Sequence, residues 1–255
     1  MFDLNDIKKP FFNHFKEQMK HENFLHFFYE VFMLGSVYVV GGYLRDFLNN
    51  RPSRDIDVIV DIEKESLIKI LSDFDFEYSI NRHGGVKVKL KSIDADIWTI
   101  SSNWAFKNEL VKLNEEDKLN SIAKGCFYNY DSLVINLNKL HLNLRYYKEF
   151  LESNKLNILQ ESPPYKLKNP SIEANILRAI YLRELFNCEL TENTSHYLSR
   201  RIGYLEDNYK NAIERLLSIK ESYPKYHFIE KHHISRFIKY LNTDFNNKNQ
   251  LTFDF

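Results

Sequence analysis

Asp55 and Asp57 stand one residue apart in the run RDIDVIVD. Side chains on a strand alternate faces, so two acids at this spacing project from one face while Ile56, Val58 and Val60 turn into a core. Carboxylates side by side repel each other unless a cation lies between them, and hard oxygen donors of this kind suit magnesium. Upstream, Gly41-Gly42 follows the β-branched run VYVV and precedes LRDFL, a helix-compatible segment. Paired glycines let a backbone approach a phosphate, with amides free to donate and the next helix adding the positive end of its dipole. A second acid pair, Asp94 and Asp96, is spaced for one face of a further strand in SIDADIWTI. A phosphate cradle beside metal-binding acids describes a nucleotide site.

The elements that must hold these residues follow from pattern. Residues 37 to 61 read as strand, glycine turn, short helix, strand. IEKESLIKILSDF continues as a helix with Ile62, Leu67, Ile70 and Leu71 on its apolar side, and the Gly84-Gly85 turn leads into the alternating Val86, Val88 and Leu90 of a half-buried strand. Ahead of them lie two aromatic clusters in an N-terminal helical region, Phe11, Phe12 and Phe15, then Phe24, Phe27, Phe28 and Val31; the i, i+3, i+4, i+7 spacing of the second predicts an amphipathic helix with its aromatic face turned to the core. Ser101 to Leu119 reads as helical, with Trp104 and Phe106 covering the sheet. NLRYYKEFLESNKLNIL supplies another helix and a short strand. ESPPYKLKNP, with Pro163, Pro164 and Pro170, is the clearest linker. Beyond it a helix carries Ile176, Leu177, Ile180 and Leu185, a turn falls at Asn187, and Thr191 is placed to cap the next helix.

Taken whole, the string GG-x-x-R-D-x-L, then Arg51, then D-x-D resembles the signature of the polymerase-β-like nucleotidyltransferases, in particular the branch of CCA-adding enzymes and bacterial poly(A) polymerases. The resemblance implies a head in which Gly41 and Gly42 hold a triphosphate, Asp55 and Asp57 hold two magnesium ions, and a later strand adds a third carboxylate. Ala95-Asp96-Ile97 fits that third position best, and Asp94 is the alternative. Arg45 stands where the family keeps an arginine, serving either the phosphates or the edge near Asp46 and Asp55; Arg54, beside the acid pair, has the same two uses open. Arg82, His83 and Lys87 surround the second glycine turn within reach of phosphates. SIAKGCFYNYDSLVINL matches an Arg-Arg-Asp-Phe-Thr-Ile-Asn-like motif in part, with Lys124 in place of one arginine. Leu177-Arg178-Ala179 and Glu192-Asn193-Thr194 align with the first neck helix, which puts Arg178 among the nucleotide contacts. On that alignment Ser171, Ile172 and Asn175 occupy the positions of the Glu, Asp and Arg that template bases in CCA-adding relatives. Ile172 accepts no hydrogen bond and Asn175 offers no guanidinium fork, so that template is absent.

Composition bounds the rest. With 255 residues, 44% of them apolar and only 7 glycines, the chain has material for one large or two modest helix-rich domains. The formal net charge is zero, so nucleic acid would be drawn by a local patch and not by a global field. Between Tyr197 and Leu241 nine lysines and arginines face five acids, a surplus of four, interleaved with Tyr197, Tyr204, Tyr209, Tyr223, Tyr226 and His232-His233. That composition suits phosphate contacts with bases stacked on rings. Cys126 and Cys188 are far apart and suggest neither a disulfide nor a zinc site. Acids and lysines among the first thirty residues argue against a signal peptide, and no apolar run reaches bilayer length, which reads as a soluble cytoplasmic protein.

The expectation is an α/β (α+β) nucleotidyltransferase head on a mixed sheet over residues 1–160, then an all-helical, neck-like domain over 161–255. The expected reaction moves NMP from an NTP to an acceptor hydroxyl, an RNA (tRNA-like) 3′ end, with two magnesium ions. The alternatives are nucleotidylation of a protein or small molecule, and a non-catalytic nucleotide-binding module.

Overall fold

The computed structural model describes residues 7–20, 23–81, 83–90, 93–160 and 171–250, the last seven by backbone alone. Two compact units emerge, one of Met1–Lys148 with Leu159–Glu161, the other of Glu149–Ile158 with Ser162–Phe255. Arg82 and the proline-rich stretch 161–170 lie outside the described residues.

The first unit is built on seven strands: β1 (Val37–Val40), β2 (Asp55–Val60), β3 (Glu77–Ile80), β4 (Val86–Lys89), β5 (Asp94–Thr99), β6 (Val134–Asn136) and β7 (His141–Asn143). Their spatial order is β3-β4-β5-β2-β1-β6-β7. Every neighbouring pair is antiparallel except β2 and β5, so the sheet is mixed, as expected. A parallel pair needs a crossover, and here the chain between them supplies helix α4 (Lys64–Ser72) and the β3–β4 hairpin; α1 (Lys8–Met19), α2 (Phe24–Leu34) and α3 (Gly42–Leu48) come earlier.

The amphipathic helix predicted from the second aromatic cluster forms as read, and the first cluster lies on a helix of its own with Phe12 half-buried. Phe11 and Phe15 of α1 and Phe24, Phe27, Phe28 and Val31 of α2 are fully buried, and Phe24 and Phe27 meet the rings of Phe76 and Phe74. Burying each ring contributes about 2–3 kcal/mol, so this cluster is a main anchor of the unit. Ile56, Val58 and Val60 are buried as the alternation required. On the opposite face Tyr38, Val40, Ile59 and Val134 pack with Ile122 and Ala123 of α6 (Lys118–Gly125) and with Leu159.

Some local readings are corrected. Ser101–Leu119 is not one helix: a single turn, α5 (Trp104–Lys107), is capped by Asn103 and stopped at Glu109, whose φ of 55° is left-handed. A 3₁₀ turn (Glu115–Asp117) follows, and Phe106 packs on the sheet while Trp104 meets the edge of His83. Strand β3 escaped the pattern because its EYSI carries no buried alternation.

The second unit holds α8 (Ile172–Phe186), α9 (Glu192–Tyr209), α10 (Ala212–Lys220) and α11 (Lys231–Gln250), with a small parallel pair of β8 (Lys155–Leu156) and β9 (Glu189–Leu190). Helix α7 (Arg145–Ser153) contributes residues to both units. Along α8, Ile176, Leu177, Ala179, Ile180 and Leu182 are buried, but Leu185 is exposed near the left-handed Asn187 that ends the helix. Thr191 precedes α9 without capping it; its hydroxyl donates to Asn157 Oδ1 and also meets Thr194. No helix among the described residues is long and apolar enough to cross a membrane.

Candidate functional site

The parallel pairing of β2 and β5 sets Asp55 opposite Asp94 and Asp57 opposite Asp96. Partners across a ladder project from the same face, so all four carboxylates share one side of the sheet. On the far side of β5, Lys87 of β4 is the partner of Asp96, and on the far side of β2, Val40 is the partner of Asp57. A row therefore runs Lys87, Asp96, Asp57, Val40 across four strands, with Asp94 and Asp55 beside it. Both predicted pairs are brought together, and both lie half-buried.

Cations are already fitted among these acids. Lys87 Nζ is 3.0 Å from Asp94 and 4.0 Å from Asp96. The neighbouring Lys89 turns outward to Glu77 at 2.6 Å and leaves the acids to Lys87. Arg54 donates to Asp55 through Nε and through Nη2, the latter at 2.6 Å. Burial pushes the Asp96 carboxyl above the ordinary aspartate range; Lys87 works against this, and Asp55 and Asp94 reinforce it. Lys87 is held above the usual lysine value, chiefly by its hydrogen bond to Asp94. Burial, then the charges of Asp131 and Asp57, push the Cys126 thiol far up and keep it neutral.

The glycine turn borders this row. Gly41 precedes α3 with φ 72° and ψ −126°, a conformation open to glycine, and a Cβ built there would lie 3.9 Å from an Asp57 carboxylate oxygen. Its N–H is not free for a phosphate, because it donates to Leu133 O at 2.8 Å and continues the β1–β6 pairing. Gly42 opens α3 beneath the guanidinium of Arg45. Arg45 is largely buried and braced: Nη1 donates to Asp131 at 2.7 Å, Nη2 donates to Asp46 at 3.1 Å, and the group lies over the Tyr130 ring at 4.8 Å. Ser53 Oγ bridges Asp46 Oδ2 and the Asp55 carbonyl. Of its two uses, the bracing of the Asp46 and Asp55 edge is the one the geometry displays. Asp131 is the member of this clasp that sequence reasoning missed, since nothing in NYDS signals a partner 86 residues away.

Residues 37–124 match the model of the poly A polymerase head domain. The match takes in strands β1 to β5, about a third of the chain. No curated protein sequence is significantly similar to the chain. Solved structures that resemble it include a CCA-adding enzyme with CTP, at 19% identity and TM-score 0.57, covering 82% of this chain and 48% of the other. A Thermotoga maritima CCA-adding enzyme complexed with tRNA gives 18% and 0.55, covering 82% and 47%. A tRNA nucleotidyltransferase with a primer tRNA and an incoming ATP analogue gives 17% and 0.55, covering 82% and 58%. The chain spans about half the length of these structures, and the likeness concerns the fold.

Magnesium is implied for a nucleotidyltransferase head, and the donor set fits it: hard carboxylate oxygens in register on adjacent strands, half-buried and already drawing cationic side chains. Among the described residues, no three acidic, histidine or cysteine side chains are grouped to hold an ion as they stand. Lys124 lies in the last turn of α6, and His83 packs edge-on to Trp104 at the head's second glycine turn.

In the second unit Arg178 is half-buried on α8, and Ser171 stands at that helix's N-cap. Asn175 faces Tyr197 of α9, and the Arg201 guanidinium lies 5.2 Å from the Tyr197 ring centre. The proposed stacking surface is therefore reduced: Tyr197 and Tyr226 are buried. Of its basic residues, Arg215, Lys220, Lys231 and Arg236 pair with Glu173, Glu221, Glu214 and Glu184.

Proposed function

We propose that the protein is a magnesium-dependent nucleotidyltransferase that moves NMP from an NTP to the 3′ hydroxyl of an RNA, releasing pyrophosphate. The observation that carries this reading is the register of Asp57 with Asp96 on a parallel pair, next to the Gly41 turn and inside the matched segment. The RNA acceptor is supported by the similar structures, which hold CTP, an ATP analogue or tRNA.

Asp55, Asp57 and Asp96 would hold the divalent ions. Such ions, when bound, lower the pKa of an attacking hydroxyl and neutralise a triphosphate and its leaving pyrophosphate. The chain's own contribution is placement. The β2–β5 ladder fixes the spacing of Asp57 and Asp96, and the missing Cβ of Gly41 keeps the approach to Asp57 open. The Arg45–Asp46–Ser53 clasp stops the Asp55 end of β2 from shifting. Arg54, more than half exposed on the same edge, presents its guanidinium to an arriving phosphate. Lys124 and Arg178 belong to the proposal as further nucleotide contacts. Ile172 and Asn175 in the template positions remove an ordered C, C, A choice.

The test is incubation of the full chain with magnesium, each labelled NTP, total RNA and a protein lysate. Label on RNA is the expected outcome; label confined to protein or small molecules would replace the acceptor, and no transfer from any NTP would overturn the activity.

A further inference from the structure

Lys87 is the one residue of the carboxylate row that carries positive charge, and its placement is specific. As the cross-strand partner of Asp96 it faces that acid directly, yet its Nζ is parked on Asp94 at 3.0 Å and stands 4.0 Å from Asp96. Lys89, two residues on, is drawn away by Glu77. Burial disfavours an ionised Asp96, and Asp55 and Asp94 add like charge. A cluster of this kind gains from a tethered cation while no metal is bound, and a tethered cation opposes an incoming one.

We infer that Lys87, parked on Asp94, is an internal counter-cation that holds the carboxylate row together without ions and lowers its affinity for divalent metal. The inference rests on the reading of Asp55, Asp57 and Asp96 as the metal ligands. Asp94 is then a positioning residue: it draws the ammonium beside Asp96, so that a metal displaces only a long contact and leaves the 3.0 Å pair intact. Arginine in place of Lys87 keeps the charge, and a methionine keeps the stem while removing the charge. The ammonium is partly exposed, so solvent screening limits its effect to about five- to tenfold in affinity.

The experiment is Mn2+ binding to the full chain, read by the loss of the free-ion electron paramagnetic resonance signal, with melting in EDTA alongside. Lys87→Met is expected to bind Mn2+ about five- to tenfold more tightly than wild type and to melt a few degrees lower in EDTA, while Lys87→Arg matches wild type. Lys87→Gln serves as the second neutral variant should the methionine chain fail to fold. Asp57→Asn and Asp96→Asn separate the two levels. If they lose Mn2+ while the neutral Lys87 variants bind as wild type, the counter-cation role is overturned and the ligand reading stands. If they bind Mn2+ as wild type, the ligand reading falls and the inference falls with it.

Discussion

Asp55 and Asp57 lie half-buried on the sheet face, so removing either should cost chemistry and little stability. Asp55→Ala and Asp57→Ala are expected to reduce transfer more than tenfold, since losing a ligand from a two-metal site forfeits several kcal/mol in the transition state, with circular dichroism unchanged. Asp96→Asn should match them in activity and differ in stability. Burial raises the folded-state pKa of Asp96 above its unfolded value. Its contribution to folding is therefore full below the ordinary aspartate pKa and is lost as pH rises through the raised value, so at neutral pH the ionised group opposes folding. Asp96→Asn in EDTA should melt about 1–3 °C above wild type at pH 7, with the difference vanishing near pH 4 (about the unperturbed pKa); a variant that melts lower at pH 7 would contradict this sign. Asp94→Asn should keep transfer within about tenfold, because Asp94 pairs with Lys87 and not with the row's centre. The acid pairs were legible because a two-residue spacing on a strand has only one geometric meaning. The Arg45–Asp131 clasp and the parking of Lys87 were not, because each joins residues whose proximity is created only by sheet order.

At the scale of elements, two glycines carry different constraints. A Cβ on Gly85 would fall 2.7 Å from ring atoms of Trp98, inside the hairpin that delivers Lys87. Gly85→Ala is expected to lower stability by about 1–3 kcal/mol, measured by urea unfolding, because the added methyl enters the space of the indole and the ring must shift to admit it. Wild-type stability in that variant would mean that Trp98 repacks. Gly41→Ala meets no such clash and instead bears the strain of φ 72°. The strand–turn–helix–strand unit was readable because β-branched runs, paired glycines and a short amphipathic segment agree with one another. The stretch after Ser101 was misread because helix propensity extends past Lys107, while Asn103 and a left-handed Glu109 confine the helix to one turn. Leu185 illustrates the same limit: it keeps the helical spacing but lies beyond the part of α8 that is covered.

At the scale of the molecule, the charge surplus of the second unit is smaller in effect than in composition, since several of its cations are committed to acids within that unit. Arg200 and Lys210 are exposed on α9 and at its end. Replacing both by Gln should weaken RNA binding and flatten the slope of log affinity against log salt by about one to two units; an unchanged slope would exclude this helix from the RNA contact. Nucleotide choice belongs to this scale too. With Asn175 turned toward Tyr197, incubation with a tRNA lacking its 3′ end should not yield faithful CCA, and sequencing of the products decides it.

The parallel contact between β2 and β5 also has a kinetic side. The two acid pairs meet only after the whole segment through α4 and the β3–β4 hairpin has closed into a loop, and loop closure slows long-range strand pairing. The hairpin, by contrast, is local and short-range. Lys87 also precedes Asp94 and Asp96 in the chain, so during synthesis the ammonium leaves the ribosome before the acids it will neutralise. Pulse-labelled hydrogen exchange during refolding should find the β3–β4 amides protected ahead of those of β2, with the two acid pairs gathered last, onto a scaffold that already carries the Lys87 ammonium.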